Sequence, residues 1–128
     1  MNFFKGLFGK ENNIETEEGI WKTLDSEEQL KAIIKQSFEK PVAIFKHSTR
    51  CSISTMAMNR IDRSWDIPQD VVDLYYLDLI AYRPVSNKIA QLLEVQHESP
   101  QIILVKDGKA IYHTSHSDIS TEGVKGYV

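Results

Sequence analysis

A predicted β-hairpin near the C-terminus constrains the fold of this chain more than any other segment. Two β-type runs, QIILVK and KAIYH, lie on either side of Asp107-Gly108, and this residue pair favours the tight turn between antiparallel strands. Pro100 stands just before the first run. The hairpin therefore adds an antiparallel edge to the sheet that the rest of the chain forms.

Alternating strand and helix patterns precede the hairpin, and one helix pattern follows it. The order is strand 20–24, helix 25–40, strand 42–46, helix 52–65, strand 70–80, helix 86–95, the hairpin and helix 117–128. Because alternating strand–helix units imply parallel strands, the sheet should be mixed. The sequence thus predicts an α/β fold in which helices sandwich a small mixed β-sheet.

Capping residues and apolar spacing predict where each helix begins and which face it buries. We expect Ser26 to cap the first helix, with Gln29 completing a capping box. Ser86 is the expected cap of the third helix, and either Ser117 or Ser120 that of the last. The predicted inward-facing side chains are Leu30, Ile33, Ile34 and Phe38 in the first helix and Ile89, Leu92 and Leu93 in the third. In the second helix, Ile53, Met56, Ala57 and Ile61 recur at roughly helical spacing.

The composition is that of one globular domain. Of the 128 residues, 41% are apolar and 26% are charged, and the net charge of -3 gives no reason to expect nucleic acid. No apolar run approaches the roughly 20 residues of a membrane-spanning helix. We expect residues 1–18 to form an N-terminal arm and residues 19–128 a single domain. Phenylalanine and leucine at helical spacing in the arm leave open a contact with a membrane surface or a partner.

Cys51 is the only cysteine in the chain. One cysteine excludes an internal disulfide, a CxxC redox pair and a cysteine-rich zinc site. A lone thiol fits a reducing compartment, and we expect a cytoplasmic protein. The histidines at positions 47, 97, 113 and 116 show no recognised zinc spacing, so no metal is expected.

The position of Cys51 favours a working thiol, because it lies where the predicted strand VAIFK ends and a helix begins. The N–H groups and the positive dipole end of a helix N-terminus stabilise a thiolate. Arg50 adds a fixed charge, His47 is a candidate for a second, and the Ser54 hydroxyl is expected to donate a hydrogen bond. The alternative is a cysteine that packs as a small apolar residue.

Four stretches, taken in order, resemble the monothiol bacilliredoxin family of thioredoxin-like proteins. They are FKHSTRCSIS, YRPVSNKIA, VQHESPQ and YHTSHSDI, and the similarity covers most of the chain from Ile20 to Val128. The resemblance implies a thioredoxin-like fold in which Pro100 is a cis-proline that faces Cys51. It also implies that the backbone of Ser99 pairs with a bound thiol substrate.

The same resemblance implies a reaction. Cys51 would attack the mixed disulfide between a protein and bacillithiol and take the bacillithiol onto itself. Free bacillithiol or a partner reductase would regenerate the thiol. The implied partners are therefore bacillithiolated proteins, with bacillithiol as thiol co-substrate and no other cofactor.

Several residues near Cys51 are candidates for holding the acidic thiol. Lys46 and Arg50 complement its carboxylates in charge, and Thr49 and Ser54 offer hydroxyl groups. These assignments are expectations from charge and hydrogen-bonding capacity.

Ser52 is a departure from the family pattern, because relatives often have proline directly after the cysteine. A serine there leaves its N–H available to the thiolate. Ser52 and Ile53 also replace the Gly-Phe pair of the monothiol glutaredoxins that hold iron–sulfur clusters. A cluster is therefore not expected in this chain.

Two other kinds of protein remain open from the sequence. A thiol peroxidase is suggested by Ser48 and Cys51 as an S-x-x-C pair, although Ile44 stands where that motif expects proline. A thioredoxin-like adaptor is the non-enzymatic alternative, with Cys51 serving as a sensor or a packing residue.

Overall fold

The computed structural model describes residues 19–128, and the predicted N-terminal arm lies outside the described residues. The elements are β1 (Lys22–Thr23), α1 (Glu27–Gln36), β2 (Val42–His47), α2 (Ser52–Ser64), β3 (Asp73–Asp78), α3 (Arg83–Leu93), β4 (Gln101–Lys106), β5 (Lys109–Ser115), a 3₁₀ turn (His116–Asp118) and α4 (Thr121–Lys125). The predicted order of strands and helices is confirmed. The strands β1 and β3 are shorter than the patterns predicted.

The five strands form one mixed sheet in the order β1-β3-β2-β4-β5. Strands β1 and β2 run parallel to β3, whereas β4 runs antiparallel to both β2 and β5. The predicted hairpin is confirmed, with left-handed backbone at Asp107 (φ 53°) and Gly108 (φ 78°). All six residues of β2 are buried, because this strand has neighbours on both edges and helices on both faces.

Two apolar clusters fill the two faces of the sheet. Alternate residues of β2 point to opposite faces, so Val42 and Ile44 join one cluster while Ala43 and Phe45 join the other. Helices α1 and α3 contribute to the first cluster, and α2 and α4 to the second. Lys46 therefore belongs to the α1/α3 face and His47 to the α2 face.

Helix α1 begins as predicted but ends earlier. Ser26 is its N-cap and accepts a hydrogen bond from the N–H of Gln29 at 3.1 Å. The prediction that Phe38 is buried is wrong, since the helix ends at Gln36 and 63% of this side chain is exposed. Its ring lies beside the hairpin turn, where a Cβ on Gly108 would come within 2.9 Å of it.

The predicted helix after Cys51 is confirmed, but only part of its apolar spacing is buried. Ile53 and Met56 are exposed, at 54% and 63%, whereas Ser54, Ala57 and Ile61 are buried. The apolar spacing identified a helix, but the packing of α2 on the sheet buries only two of those four apolar residues. The exposed apolar pair thus lies on the first turns of the helix that follows Cys51.

Helix α3 begins three residues before the predicted cap. Arg83 is its first residue and Pro84 lies in its first turn, a position that proline's fixed φ favours. Ser86 is therefore a buried residue inside the helix, and the prediction that it caps the helix is wrong. Leu92 is 40% exposed, contrary to the prediction. For α4, the side chain of Ser120 provides the cap.

Candidate active site

Strand and helix ends converge at one edge of the sheet. Because β2 and β3 are parallel and in register, their last residues, His47 and Asp78, lie side by side. Strand β4 is antiparallel to β2, so its first residue, Gln101, pairs with Lys46 at the same edge. The N-termini of α2 and α3 and the loop before β4 therefore lie together.

Cys51 is the N-cap residue of α2, as the sequence predicted. Its backbone is extended (φ −117°, ψ 122°) and its thiol is partly exposed. The N–H of Cys51 donates to the carbonyl of Ser48 at 3.2 Å, and its own carbonyl accepts from the N–H of Thr55 at 3.1 Å. The Cys51 side chain makes no capping hydrogen bond, so the first-turn N–H groups of α2 that lack a partner within the helix are not bonded to the thiol.

Ser54 fixes the loop between β2 and α2. Its side chain is fully buried, and its hydroxyl shares a hydrogen bond with Nδ1 of His47 at 2.7 Å. The same oxygen accepts from the N–H of Ser48 at 2.9 Å. These bonds join the first turn of α2 to the end of β2, whereas the predicted contact between this hydroxyl and the thiolate stays a prediction.

His47 does not supply the second positive charge suggested by the sequence. Burial lowers the pKa of its imidazole below the ordinary value, and the nearby carboxylate of Asp78 only partly opposes this effect. The ring lies among aromatic side chains, with centroids 6.2 Å from Phe45 and 5.9 Å from Tyr76. A neutral imidazole at pH 7 is the form that this apolar setting favours.

Lys46 lies on the opposite face of β2 and is fully buried. Burial, together with the smaller effect of the positive charge of Arg83, lowers the pKa of its amine to about 8. Within residues 19–128, its Nζ has no hydrogen-bond partner, and the same holds for the hydroxyl of Ser99. Two buried polar groups at this edge are therefore unsatisfied.

The loop before β4 contains a cis peptide bond between Ser99 and Pro100, which confirms the isomer that the family resemblance implied. The Pro100 carbonyl accepts from the N–H of His116 at 3.1 Å. The Gln101 side chain donates to the carbonyl of Gln96 at 3.0 Å. These bonds fix the loop to the strands and the 3₁₀ turn beside it.

The other predicted site residues lie around the thiol on the surface. Thr49, Arg50 and Ser52 are all exposed. Next to them, a cavity of ≈ 340 Å³ opens along the first turns of α2. It is lined by Ile53, Met56, Arg60, His116 and Ser117.

Sequence reasoning missed Arg83 and the part played by His97. Arg83 starts α3, and its charge lowers the pKa of both Lys46 and His97. Both residues occur in stretches that carry the family resemblance, YRPVSNKIA and VQHESPQ. The sequence around each residue does not predict that it lies near Lys46, because this proximity depends on the pairing of distant segments.

Within residues 19–128, no three or more side chains of His, Cys, Asp or Glu are grouped so as to hold a metal ion. No helix in the same range is both long and apolar enough to cross a membrane.

Comparison with solved structures places the chain among thioredoxin-fold proteins. A candidate oxidoreductase with a thioredoxin fold is 30% identical, with a TM-score of 0.74 over 85% of this chain and 94% of that one. Thioredoxin from Malassezia sympodialis is 20% identical, with a TM-score of 0.63 over 84% of this chain and 86% of the other. A redox protein from Chlamydomonas reinhardtii is 19% identical, with a TM-score of 0.70 over 90% of this chain and 37% of that protein.

The fold and the thiol at the start of α2 thus define a thioredoxin-fold thiol–disulfide oxidoreductase. Within that class, the family model described as "Monothiol bacilliredoxin BrxC" matches residues 22–124. The chain belongs to the monothiol bacilliredoxin family, as its four matching stretches predicted.

Proposed function

We propose that this protein removes bacillithiol from protein mixed disulfides through Cys51. The family membership supports this assignment, and the single partly exposed thiol at the N-terminus of α2 is the observation that carries it. With one cysteine in the chain, resolution has to come from a second molecule. The protein substrate and the resolving thiol are therefore separate partners.

The proposed reaction consists of two thiol–disulfide exchanges. The Cys51 thiolate attacks the bacillithiol sulfur of the mixed disulfide, and the protein sulfur leaves as a thiolate that takes up a proton. Cys51 then carries bacillithiol in a new disulfide. A free bacillithiol, or the thiol of a partner reductase, attacks that disulfide, so the electrons come from this second thiol.

We assign supporting roles to residues at the same edge. The first-turn N–H groups of α2, including that of Ser52, and the guanidinium of Arg50 stabilise the thiolate. Ser99 offers its backbone to the substrate next to Pro100. Thr49 supplies a hydroxyl, and Lys46 and Arg50 are the proposed carboxylate partners of the acidic thiol.

The proposed partners are bacillithiolated proteins together with bacillithiol or a dedicated reductase. Nucleic acid is not among them, since the chain carries a net charge of -3. The proposed location is the cytoplasm, where low-molecular-weight thiols keep cysteine side chains reduced.

The test is release of bacillithiol from a bacillithiolated protein, with free bacillithiol as reductant. Wild type should release it catalytically, whereas Cys51→Ala should show only the uncatalysed rate. Thr55→Ala is a matched control in the same helix turn, and it should keep the wild-type rate. Equal release by wild type and Cys51→Ala would contradict the proposal and favour an adaptor.

A further inference from the structure

The ammonium group of Lys46 is the least satisfied polar group of the described residues. Lys46 is fully buried in the central strand, yet within residues 19–128 no acceptor lies within hydrogen-bond distance of its Nζ. A buried donor without a partner costs free energy, and a buried charge costs more. With a pKa of about 8, the amine still carries its proton at pH 7.

The groups near this end of β2 are basic or polar and come from two other segments, the start of α3 and the loop before β4. Arg83 begins α3, and its charge acts on both Lys46 and His97. The hydroxyl of Ser99, in the loop before β4, is buried and also without a partner in the described part of the chain. We call Lys46, Arg83, His97 and Ser99 the basic cluster.

The helix that Arg83 begins adds to the positive potential of the basic cluster. Helix α3 has 11 residues, and no acidic residue occurs in its first turn. Pro84 has no N–H, and the N–H of Val85 donates to the carbonyl of Tyr82 at 3.0 Å, so this N-terminus contributes chiefly the positive end of a helix dipole. Ser86, buried in the same helix, has its hydroxyl 3.4 Å from Nδ1 of His97 and so connects the histidine to α3.

Two acidic residues lie near the cluster in the described part of the chain, and the carboxylate of one, Asp78, accepts the N–H groups of Ile80 and Ala81 just before α3. Glu98 raises the pKa of His97, but burial together with the charges of Lys46 and Arg83 outweighs it and lowers that pKa overall. The carboxylate of Glu98 also accepts a hydrogen bond from the hydroxyl of Ser115. Within residues 19–128, neither Lys46 nor Arg83 therefore forms a salt bridge.

We infer that the basic cluster is a binding site for a carboxylate group. The ammonium of Lys46 and the hydroxyl of Ser99 are unused donors, and the guanidinium of Arg83 can bind a carboxylate through two parallel hydrogen bonds. Arg83 and His97 are exposed, so their side chains can admit a ligand without disturbing the core. For Lys46 the inference rests on the proposed function, which pairs it with a carboxylate of the acidic thiol, but carboxylate binding itself requires no thiol and is tested without one.

Succinate is a suitable probe in NMR titrations of the full-length protein, with succinamide as its uncharged counterpart. The side-chain signal of Lys46, assigned by its loss in Lys46→Met, should shift on addition of succinate but not of succinamide. The pKa of Lys46 should also rise above about 8 in the complex, since a bound anion favours the charged amine.

Two variants distinguish specific binding of succinate at the basic cluster from general attraction of the anion to positive charge. Arg83→Gln, at an exposed position, should weaken succinate binding about tenfold or more, as expected for loss of a charge-assisted hydrogen bond. Lys88→Gln changes a lysine of the same helix that pairs with Glu27 at 3.9 Å, and it should bind like wild type. An unmoved Lys46 signal, or equal weakening by both variants, would overturn the inference.

The carboxylate has two possible sources, the acidic thiol of the exchange reaction or a free dicarboxylate. Exchange assays with mixed disulfides of an acidic and of an uncharged thiol distinguish them. If Lys46→Met raises KM about tenfold for the acidic thiol alone, the thiol is the source. If KM is unchanged for both while succinate binding is lost, the site serves a free dicarboxylate. Failure of exchange in wild type would count against the proposed function and leave the binding result intact.

Discussion

The last two residues of β2, Lys46 and His47, are both buried but differ in whether their polar groups have hydrogen-bond partners. Lys46 and His47 point to different faces of the sheet, as any two successive strand residues do. His47 finds a partner in Ser54 and a setting of aromatic rings, whereas Lys46 has an ammonium without a partner within residues 19–128. One position thus stabilises the loop before Cys51, and the other carries the polar group that we assign to ligand binding.

The residue-scale prediction concerns Ser54. Replacement by alanine removes the acceptor of the Ser48 N–H and the partner of His47, so Ser54→Ala should lower the free energy of unfolding by about 1–3 kcal/mol. Denaturant unfolding at pH 7 measures the change. Thr55→Ala, at an exposed position one residue on, should cost clearly less. Equal losses for both variants would show that the buried hydroxyl does not fix the loop.

At the scale of elements, the end of α1 and the β4–β5 turn stabilise each other. Ser37, just after α1, accepts the N–H of Asp107 at its carbonyl and that of Gly108 at its hydroxyl, each at 2.9 Å. Phe38 covers the same turn. Ser37 and Phe38, which the sequence pattern placed in the last turn of a helix, thus contact and stabilise a hairpin that is distant in sequence.

Gly108→Ala should be destabilising because of this contact. The left-handed φ of 78° disfavours a side chain, and the new Cβ would lie 2.9 Å from the Phe38 ring. We expect a loss of about 1–2 kcal/mol in the free energy of unfolding, of which Phe38→Ala in the same chain should recover only the steric part.

Gly126→Ala is the matched control for that prediction. Gly126 has an ordinary helical backbone and its nearest neighbour is 3.6 Å from an added Cβ, so the change should be neutral or slightly stabilising. A loss at Gly126 as large as the loss at Gly108 would contradict the role given to the turn.

At the scale of the whole molecule, charge is arranged at both ends of the sheet. The edge with Cys51 contains the basic cluster, whereas the opposite edge contains the buried carboxylate of Asp73. That carboxylate pairs with Lys22 at 2.9 Å and Lys40 at 3.1 Å and accepts a hydrogen bond from the Gln36 side chain. It thereby connects β1, β3 and the end of α1.

This ion cluster predicts a loss of stability in acid. Burial alone raises the pKa of Asp73, but hydrogen bonds from Lys22 and Lys40 outweigh it and hold the pKa below the ordinary value. Since the unfolded chain binds the proton more readily, this stabilisation is present above about pH 4 and is lost as the pH falls further.

The variant Asp73→Asn tests whether the stabilisation by this carboxylate is lost as the pH falls. At pH 7 it should lower the free energy of unfolding by about 1–3 kcal/mol, because two lysines lose their shared counter-ion. The difference from wild type should shrink as the pH falls below 4. Asp66→Asn removes an exposed pair with Lys125 and should have little effect at either pH. A difference between Asp73→Asn and wild type that persists in acid would contradict the assignment.

Much of the fold was predictable because its signals are local. Turn residues and apolar spacing identified every strand and helix, and the Ser26 cap and the Asp107-Gly108 turn lie where their side-chain chemistry requires. The buried faces were less predictable. Ile53 and Met56 fit a helical spacing, yet packing of α2 on the sheet leaves both exposed.

The sequence by itself determined that one thiol lies where a strand meets a helix, that no second thiol resolves it, and that the family is monothiol. Only the tertiary structure decided that burial lowers the pKa of His47, and that within residues 19–128 the buried ammonium of Lys46 feels the charge of Arg83 and has no hydrogen-bond partner. The physical reason is distance along the chain. Local patterns specify elements, but charge states and side-chain partners depend on burial, which arises only when distant segments pack together.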